Sequence, residues 1–155
     1  METRHLRQQI VAMRQSFFDE EILDEQFCQL EQLEENGNPS FLEQVFTMYF
    51  NDSTTVLATV EQAMREIESI DLGEVDHVLH KFKGSSASVG ANKVRNQIVN
   101  TRKFVAEGDL KGAEVAFQEL RKEYDNLKAK LEHYFQQLKR AGPAAAGDCS
   151  ASQVK

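Results

Sequence analysis

Three residues stand where chemistry is possible: His80, Lys83 and Gly84, within HKFKGSSASVGA at 80–91. An imidazole is a nucleophile at neutral pH without a dedicated base. At helical spacing, a lysine at i+3 and a glycine at i+4 both lie beside the ring. The lysine suits a phosphoryl group placed on that ring, and the glycine leaves room for a second active site. Glycine costs a helix about 1 kcal/mol relative to alanine. Stripping bulk from the segment after a histidine, at that cost, points to close approach by a partner.

On a wheel of about 100° per residue, Val75, Val78, Leu79, Phe82 and Val89 fall within about 80° of the direction opposite His80. They are the expected core face. His80, Lys83, Gly84, Ala87 and Ser88 share the outward face. Ser85 and Ser86 flank the core, where small side chains let a neighbouring helix approach. A lone surface histidine on a helix is usually incidental, and it is the surroundings of His80 that set it apart. His77, one turn earlier, has His80 at i+3 and Lys81 at i+4, with no clearing beside it. His5 and His133 read as surface or partly packed helical residues.

Apolar spacing of three and four recurs nearly throughout and strand-like alternation is almost absent, which predicts an all-helical chain. A first helix is expected over 3–18 and a second over 21–35, the latter carrying Ile22, Leu23, Phe27, Leu30 and Leu33. Asn38 and Pro39 suit the cap and first turn of a third helix over 39–69. Its candidate core is Phe41, Leu42, Val45, Met48, Tyr49, Val56, Leu57, Val60 and Met64. Asp71 with Glu74 imitates a capping box and opens the fourth helix, which bears the motif and stops at Gly90. A fifth helix is expected over 91–107 with Val94, Ile98 and Val99 inward. After a turn at Gly108 and Asp109, a last helix covers 110–140, with Val115, Phe117, Leu120, Tyr124, Leu127, Leu131 and Phe135 inward. Residues 141–155 lack periodicity and are expected to form a disordered tail, leaving one domain over 1–140. Amphipathic helices joined by short links bury their stripes most economically as an antiparallel bundle, with the N-terminal pair covering one end.

The 155 residues are 41% hydrophobic and 28% charged with two prolines, a composition suited to a helical globular domain. The net charge of −7 argues against nonspecific binding to nucleic acid or anionic membrane and makes a basic partner surface easier to imagine, although a solvated acidic surface is the commoner meaning of such a charge. Cys28 and Cys149 form no ligand pair, which suggests a reducing compartment and little prospect of metal. METRHLRQQIVAMRQ lacks the apolar run of a signal peptide, and no segment approaches the ~20 apolar residues of a membrane span.

The pattern HxxKGSSxxxGA, as it stands at 80–91, resembles the signature of histidine-containing phosphotransfer (HPt) proteins, in particular plant members of cytokinin-type multistep phosphorelays. Residues 22–53, ILDEQFCQLEQLEENGNPSFLEQVFTMYFNDS, resemble the N-terminal half of those proteins, and 123–138, EYDNLKAKLEHYFQQL, their last helix. The resemblance implies an HPt-like antiparallel four-helix bundle with additional N-terminal helices. It also implies a phosphoaccepting His80 accompanied by Lys83 and Gly84, with His77, Lys81, Ala87 and Ser88 around the phosphoryl and partner surface. The implied partners are receiver domains of hybrid sensor histidine kinases and of response regulators. Mg²⁺ is expected in the partner receiver domain, and no cofactor is expected in this chain. A monomer that moves between cytoplasm and nucleus is the matching expectation. Three positions depart from the plant pattern: Lys81 replaces a usual Gln, and Ile98 and Thr101 stand where Cys and Phe are common. Plant members without the histidine are regarded as decoys, whereas His80 is present here.

Other readings are weaker. A histidine kinase needs an ATP-binding domain with glycine-rich boxes, which this sequence lacks. A noncatalytic adaptor would make the motif a helix contact and His80 incidental. Acidic residues on the second and third helices, with no ExxH pair, read as a solvated face rather than a metal site. The Lys and Arg residues of the last helix also read as solvated.

Overall fold

The computed structural model describes residues 2–34 and 40–141. Six α-helices follow in order: α1 (Glu2–Asp19), α2 (Glu25–Glu34), α3 (Phe41–Arg65), α4 (Leu72–Val89), α5 (Asn92–Ala106) and α6 (Leu110–Ala141). The end of the long third segment tightens into a 3-10 turn, Ile67–Ser69. Expected boundaries hold to within a few residues, with one instructive exception. Residues 21–24 are not helical. Glu21 takes a left-handed φ of 61°, and Leu23 pairs with Ala91 in an isolated antiparallel bridge. Ile22 and Leu23 are buried there as a plug. Asp24 then caps α2, its Oδ1 accepting from the Gln26 amide at 3.0 Å. The expected cap at Asn38 and Pro39 lies outside the described residues, as does the tail beyond Ala141.

Helices α3 to α6 pack in a ring, α3 on α4, α4 on α5, α5 on α6 and α6 back on α3. Short links between α4, α5 and α6 make these neighbours antiparallel, and the result is a four-helix bundle with additional N-terminal helices. Helix α1 lies along α6, where Phe17 meets Tyr134 edge-on at 5.5 Å. Helix α2 packs against α3 and α4. An aromatic chain runs through the centre: Phe27 to Phe46, Phe46 to Tyr49 and Phe50, then Tyr49 and Tyr124 onto Phe82 of α4. Each such pair adds about 0.5–1.5 kcal/mol beyond area burial. Two phenols are satisfied inside this core: Tyr49 OH with Ser86 Oγ at 2.7 Å, and Tyr124 OH donating to the Phe50 carbonyl at 3.0 Å. Burial pushes both tyrosines' pKa up, so they remain protonated hydrogen-bonding groups.

Several expected core residues face solvent instead: Met48 is 66% and Val115 67% exposed, and Leu33 and Val99 are also exposed. The buried stripe of α3 runs through Leu42, Phe46, Tyr49, Phe50, Ser53, Leu57 and Val60, and Met48 lies nearly opposite Phe46 on the wheel. Single exposed apolar side chains are ordinary on a protein surface. The two serines also separate: Ser86 is fully buried against Tyr49, whereas Ser85 is exposed and donates to the Phe82 carbonyl at 3.0 Å. Arg14 of α1 is only 2% exposed. Its guanidinium is held by both Glu31 oxygens, at 3.0 and 2.7 Å, and lies 5.0 Å from the Phe18 ring centroid.

Capping sets the length of α4. Asp71 Oδ1 accepts from the Glu74 amide at 3.1 Å. Gly90 closes the other end at φ 79°, and its carbonyl accepts from the Asp24 amide at 3.0 Å. A Cβ on Gly90 would lie 2.7 Å from the Phe27 backbone nitrogen, whereas one on Gly84 would meet nothing within 4 Å. Gly90→Ala is therefore expected to lower stability by about 2 kcal/mol or more, from left-handed strain and the clash together. Gly84→Ala should raise it by about 0.5–1 kcal/mol. Urea denaturation of the two variants checks the pair, and a shift of the same sign in both would contradict it.

Candidate functional site

The exposed side of α4 carries the motif. Leu79 and Phe82 are fully buried on either side of His80 in sequence, and that fixes the imidazole outward, where it is exposed. Gly84, Ala87 and Ser88 are exposed beyond it, and Lys83 is half-buried. Helical spacing places Lys83, Gly84, Ala87 and Ser88 on the His80 side. The Ser88 hydroxyl folds back to donate to the Gly84 carbonyl at 2.9 Å, which keeps it low over the clearing. His77 is exposed one turn before His80, and Lys81 is exposed a quarter turn away. The expected outward set is thus found together, with Lys81 on its margin.

Two further residues reach the ring. Arg102 on α5 lies with Nη1 3.2 Å from Nδ1 of His80. The same guanidinium grips Asp76 of α4 with two bonds, Nε to Oδ1 at 2.8 Å and Nη2 to Oδ2 at 3.2 Å. The hydrogen bonds from Arg102 hold the Asp76 carboxyl below its ordinary pKa, and those to Asp76 raise that of Arg102. Both groups therefore stay charged at neutral pH. The sequence pattern singles out neither. Asp76 was legible as the i−4 neighbour of His80 on one helix face. Arg102 was not, because only the packing of α5 on α4 brings it there.

The local charge opposes the net charge. Residues 77–106 hold six Lys or Arg and no Asp or Glu, in a chain of net −7. The segment that carries His80 is thus locally basic. Among the described residues, no group of three or more His, Cys, Asp or Glu side chains is placed to hold a metal ion. No helix among them is long and apolar enough to cross a membrane.

Comparison with known proteins agrees with this geometry. Residues 44–130 match the family model described as the Hpt domain. Pseudo histidine-containing phosphotransfer protein 5 of rice (Oryza sativa subsp. japonica) is 41% identical over 144 residues, covering 93% of this chain and 94% of the relative. Histidine-containing phosphotransfer protein 4 of Arabidopsis thaliana is 44% identical over 114 residues, covering 74% and 89%. A crystal structure of a histidine-containing phosphotransfer protein from Medicago truncatula superposes with a TM-score of 0.83 at 33% identity, covering 88% of this chain and 92% of that one. One from maize gives the same score at 31% identity, covering 88% and 99%. With an outward histidine on the second helix of a four-helix bundle, and a family model matched across that bundle, the chain belongs to the Hpt family of histidine-containing phosphotransfer proteins.

Proposed function

We propose that this chain is a phosphocarrier in a multistep phosphorelay of the cytokinin type. His80 takes a phosphoryl group from an aspartyl phosphate on the receiver domain of a hybrid sensor histidine kinase, then passes it to the receiver aspartate of a response regulator. The observation that carries this reading is the exposed imidazole of His80 beside the open Gly84 surface. In-line transfer through a loose transition state asks for positioning and charge neutralisation more than for covalent help from the protein. Lys83 supplies a cation for the phosphoryl oxygens. Gly84 supplies clearance for the partner, and Ala87 and Ser88 extend that low surface. Lys81 and His77 border it and tune partner preference. The receiver domain brings the aspartate and its Mg²⁺, and the basic segment 77–106 suits the acidic surface such a site presents. The carrier acts as a monomer and meets its kinases in the cytoplasm and its regulators in the nucleus.

A second reading has a specific observation behind it. Rice relatives at 41% and 37% identity bear the word pseudo in their names, which fits a chain that occupies receiver domains without carrying phosphate. The presence and exposure of His80 favour the carrier.

Labelled phosphate on a receiver domain should move to the wild-type chain as an acid-labile adduct and fail to move to a folded His80→Gln variant. Absence of label on both, with receiver binding intact, would favour the decoy. Gly84→Leu should fold, since its side chain points into open space, yet lose transfer by about 100-fold or more through a misplaced partner. Ordinary transfer by that variant would remove Gly84 from the docking surface.

A further inference from the structure

The contact between Arg102 and His80 has a defined direction. A guanidinium has donors and no acceptor, so Nδ1 of His80 must accept from Arg102 Nη1 at 3.2 Å. In the neutral ring the proton then sits on Nε2, the nitrogen turned away from Arg102. Two more donors of the same guanidinium are tied to Asp76, at 2.8 and 3.2 Å. A bidentate grip of this kind fixes a guanidinium far better than a single bond, and it holds although the Arg102 and Asp76 side chains are 26% and 40% exposed. Arg102 therefore occupies Nδ1 and leaves Nε2 free of its contact.

We propose that Asp76 and Arg102 form a positioning pair that occupies Nδ1 of the phosphorylated His80 as an acceptor and thereby slows loss of the phosphoryl group from Nε2 to water. The inference rests on His80 being the phosphoacceptor. When an acyl phosphate donates, the bond from phosphorus to the carboxylate oxygen breaks and the Nε2–P bond forms. Nε2 attacks from the tautomer that carries the ring proton on Nδ1, since only the unprotonated nitrogen has an in-plane lone pair, and that proton then leaves Nδ1 with the departing carboxylate or to water. Arg102 releases Nδ1 for that attack and re-engages its lone pair in the product. In hydrolysis, water attacks phosphorus and the P–N bond breaks with its electron pair passing to Nε2. The fast path is departure of a ring that also carries a proton on Nδ1, because neutral imidazole is the better leaving group. An Nδ1 lone pair engaged by Arg102 is not open to that proton. Transfer to a receiver aspartate proceeds inside a closed interface, so the contact discriminates against water more than against the acceptor.

The test uses potassium phosphoramidate, a small donor that needs no partner protein, on the full chain and on Arg102→Met, Arg102→Lys and Asp76→Asn variants. Circular dichroism confirms folding, and phosphorus NMR follows the phosphohistidine signal and identifies the nitrogen. The wild type should carry the group on Nε2 and lose it slowest at neutral pH. Arg102→Met should shorten the half-life roughly tenfold, the rate equivalent of one charge-assisted hydrogen bond. Asp76→Asn should shorten it less, and Arg102→Lys should recover part of the loss, which a merely structural role would not do. Equal half-lives in the wild type and a folded Arg102→Met protein would overturn the proposal. So would equal half-lives with Asp76→Asn if Arg102→Met does not fold, a wild-type adduct on Nδ1, or a His80 that phosphoramidate cannot label. A wild type labelled by phosphoramidate but not by a phosphorylated receiver would sink the relay reading alone, since the half-lives remain measurable.

Discussion

The rotation of α4 about its own axis is held by Phe82, and the outward surface depends on it. The ring is buried against Tyr49 of α3 and Tyr124 of α6, with centroids 6.1 and 6.3 Å away. Four residues on, Ser86 is buried on the same side and bonded to the Tyr49 hydroxyl. An aromatic side chain locked among others in a close-packed interior has little freedom to turn. A helix pinned at 82 and 86 must present 80, 83, 84 and 87 to solvent or to the next helix, because its period leaves no other direction. The chemistry of the site is thus set by residues that never touch it.

The two glycines of the motif do opposite things. Gly84 sits in ordinary helix with open space above it, so its cost in helix propensity has no structural return within the chain. Gly90 is structural: its left-handed φ ends α4, and its bare Cα lets the start of α2 approach. Through it, the Leu23–Ala91 bridge and the bond from the Asp24 amide tie the N-terminal helices to the end of α4. Asn92 adds to the tie, its amide donating to the Ile22 carbonyl at 3.1 Å and its side chain to that of Glu21 at 3.0 Å. The N-terminal pair is therefore joined to the helix that carries His80, and is more than a cover for one end of the bundle.

Charge is distributed with the same division. The acidic residues lie outside the span 77–106, and that span holds six basic ones. A net charge of −7 makes copies of the chain repel one another, while the span that carries His80 is locally basic. One acidic residue borders that span from just outside it. Asp76 is gripped by Arg102, so its negative charge is neutralised locally and the arginine is held against His80.

The sequence alone determined the helical class, the outward His80 with Lys83 and Gly84, the cap at Asp71 and the stop at Gly90. Each is a local matter, decided by helical period or by the backbone freedom of one residue. The resemblance of 22–53 and 123–138 to Hpt proteins reached further, to the bundle itself. Local pattern misled wherever an apolar residue lay off the buried stripe, as at Met48 and Val115, because hydrophobicity says that a side chain is able to be buried and not that a neighbour is there to bury it. It also misled at Ile22 and Leu23, whose spacing fits a helix but whose backbone is drawn out by pairing with residues near 91, nearly seventy positions away. Tertiary structure alone decided that Arg102 reaches His80 and Asp76. That contact depends on the relative height and rotation of α4 and α5, which two separate helical periods do not specify and the packing of their side chains does.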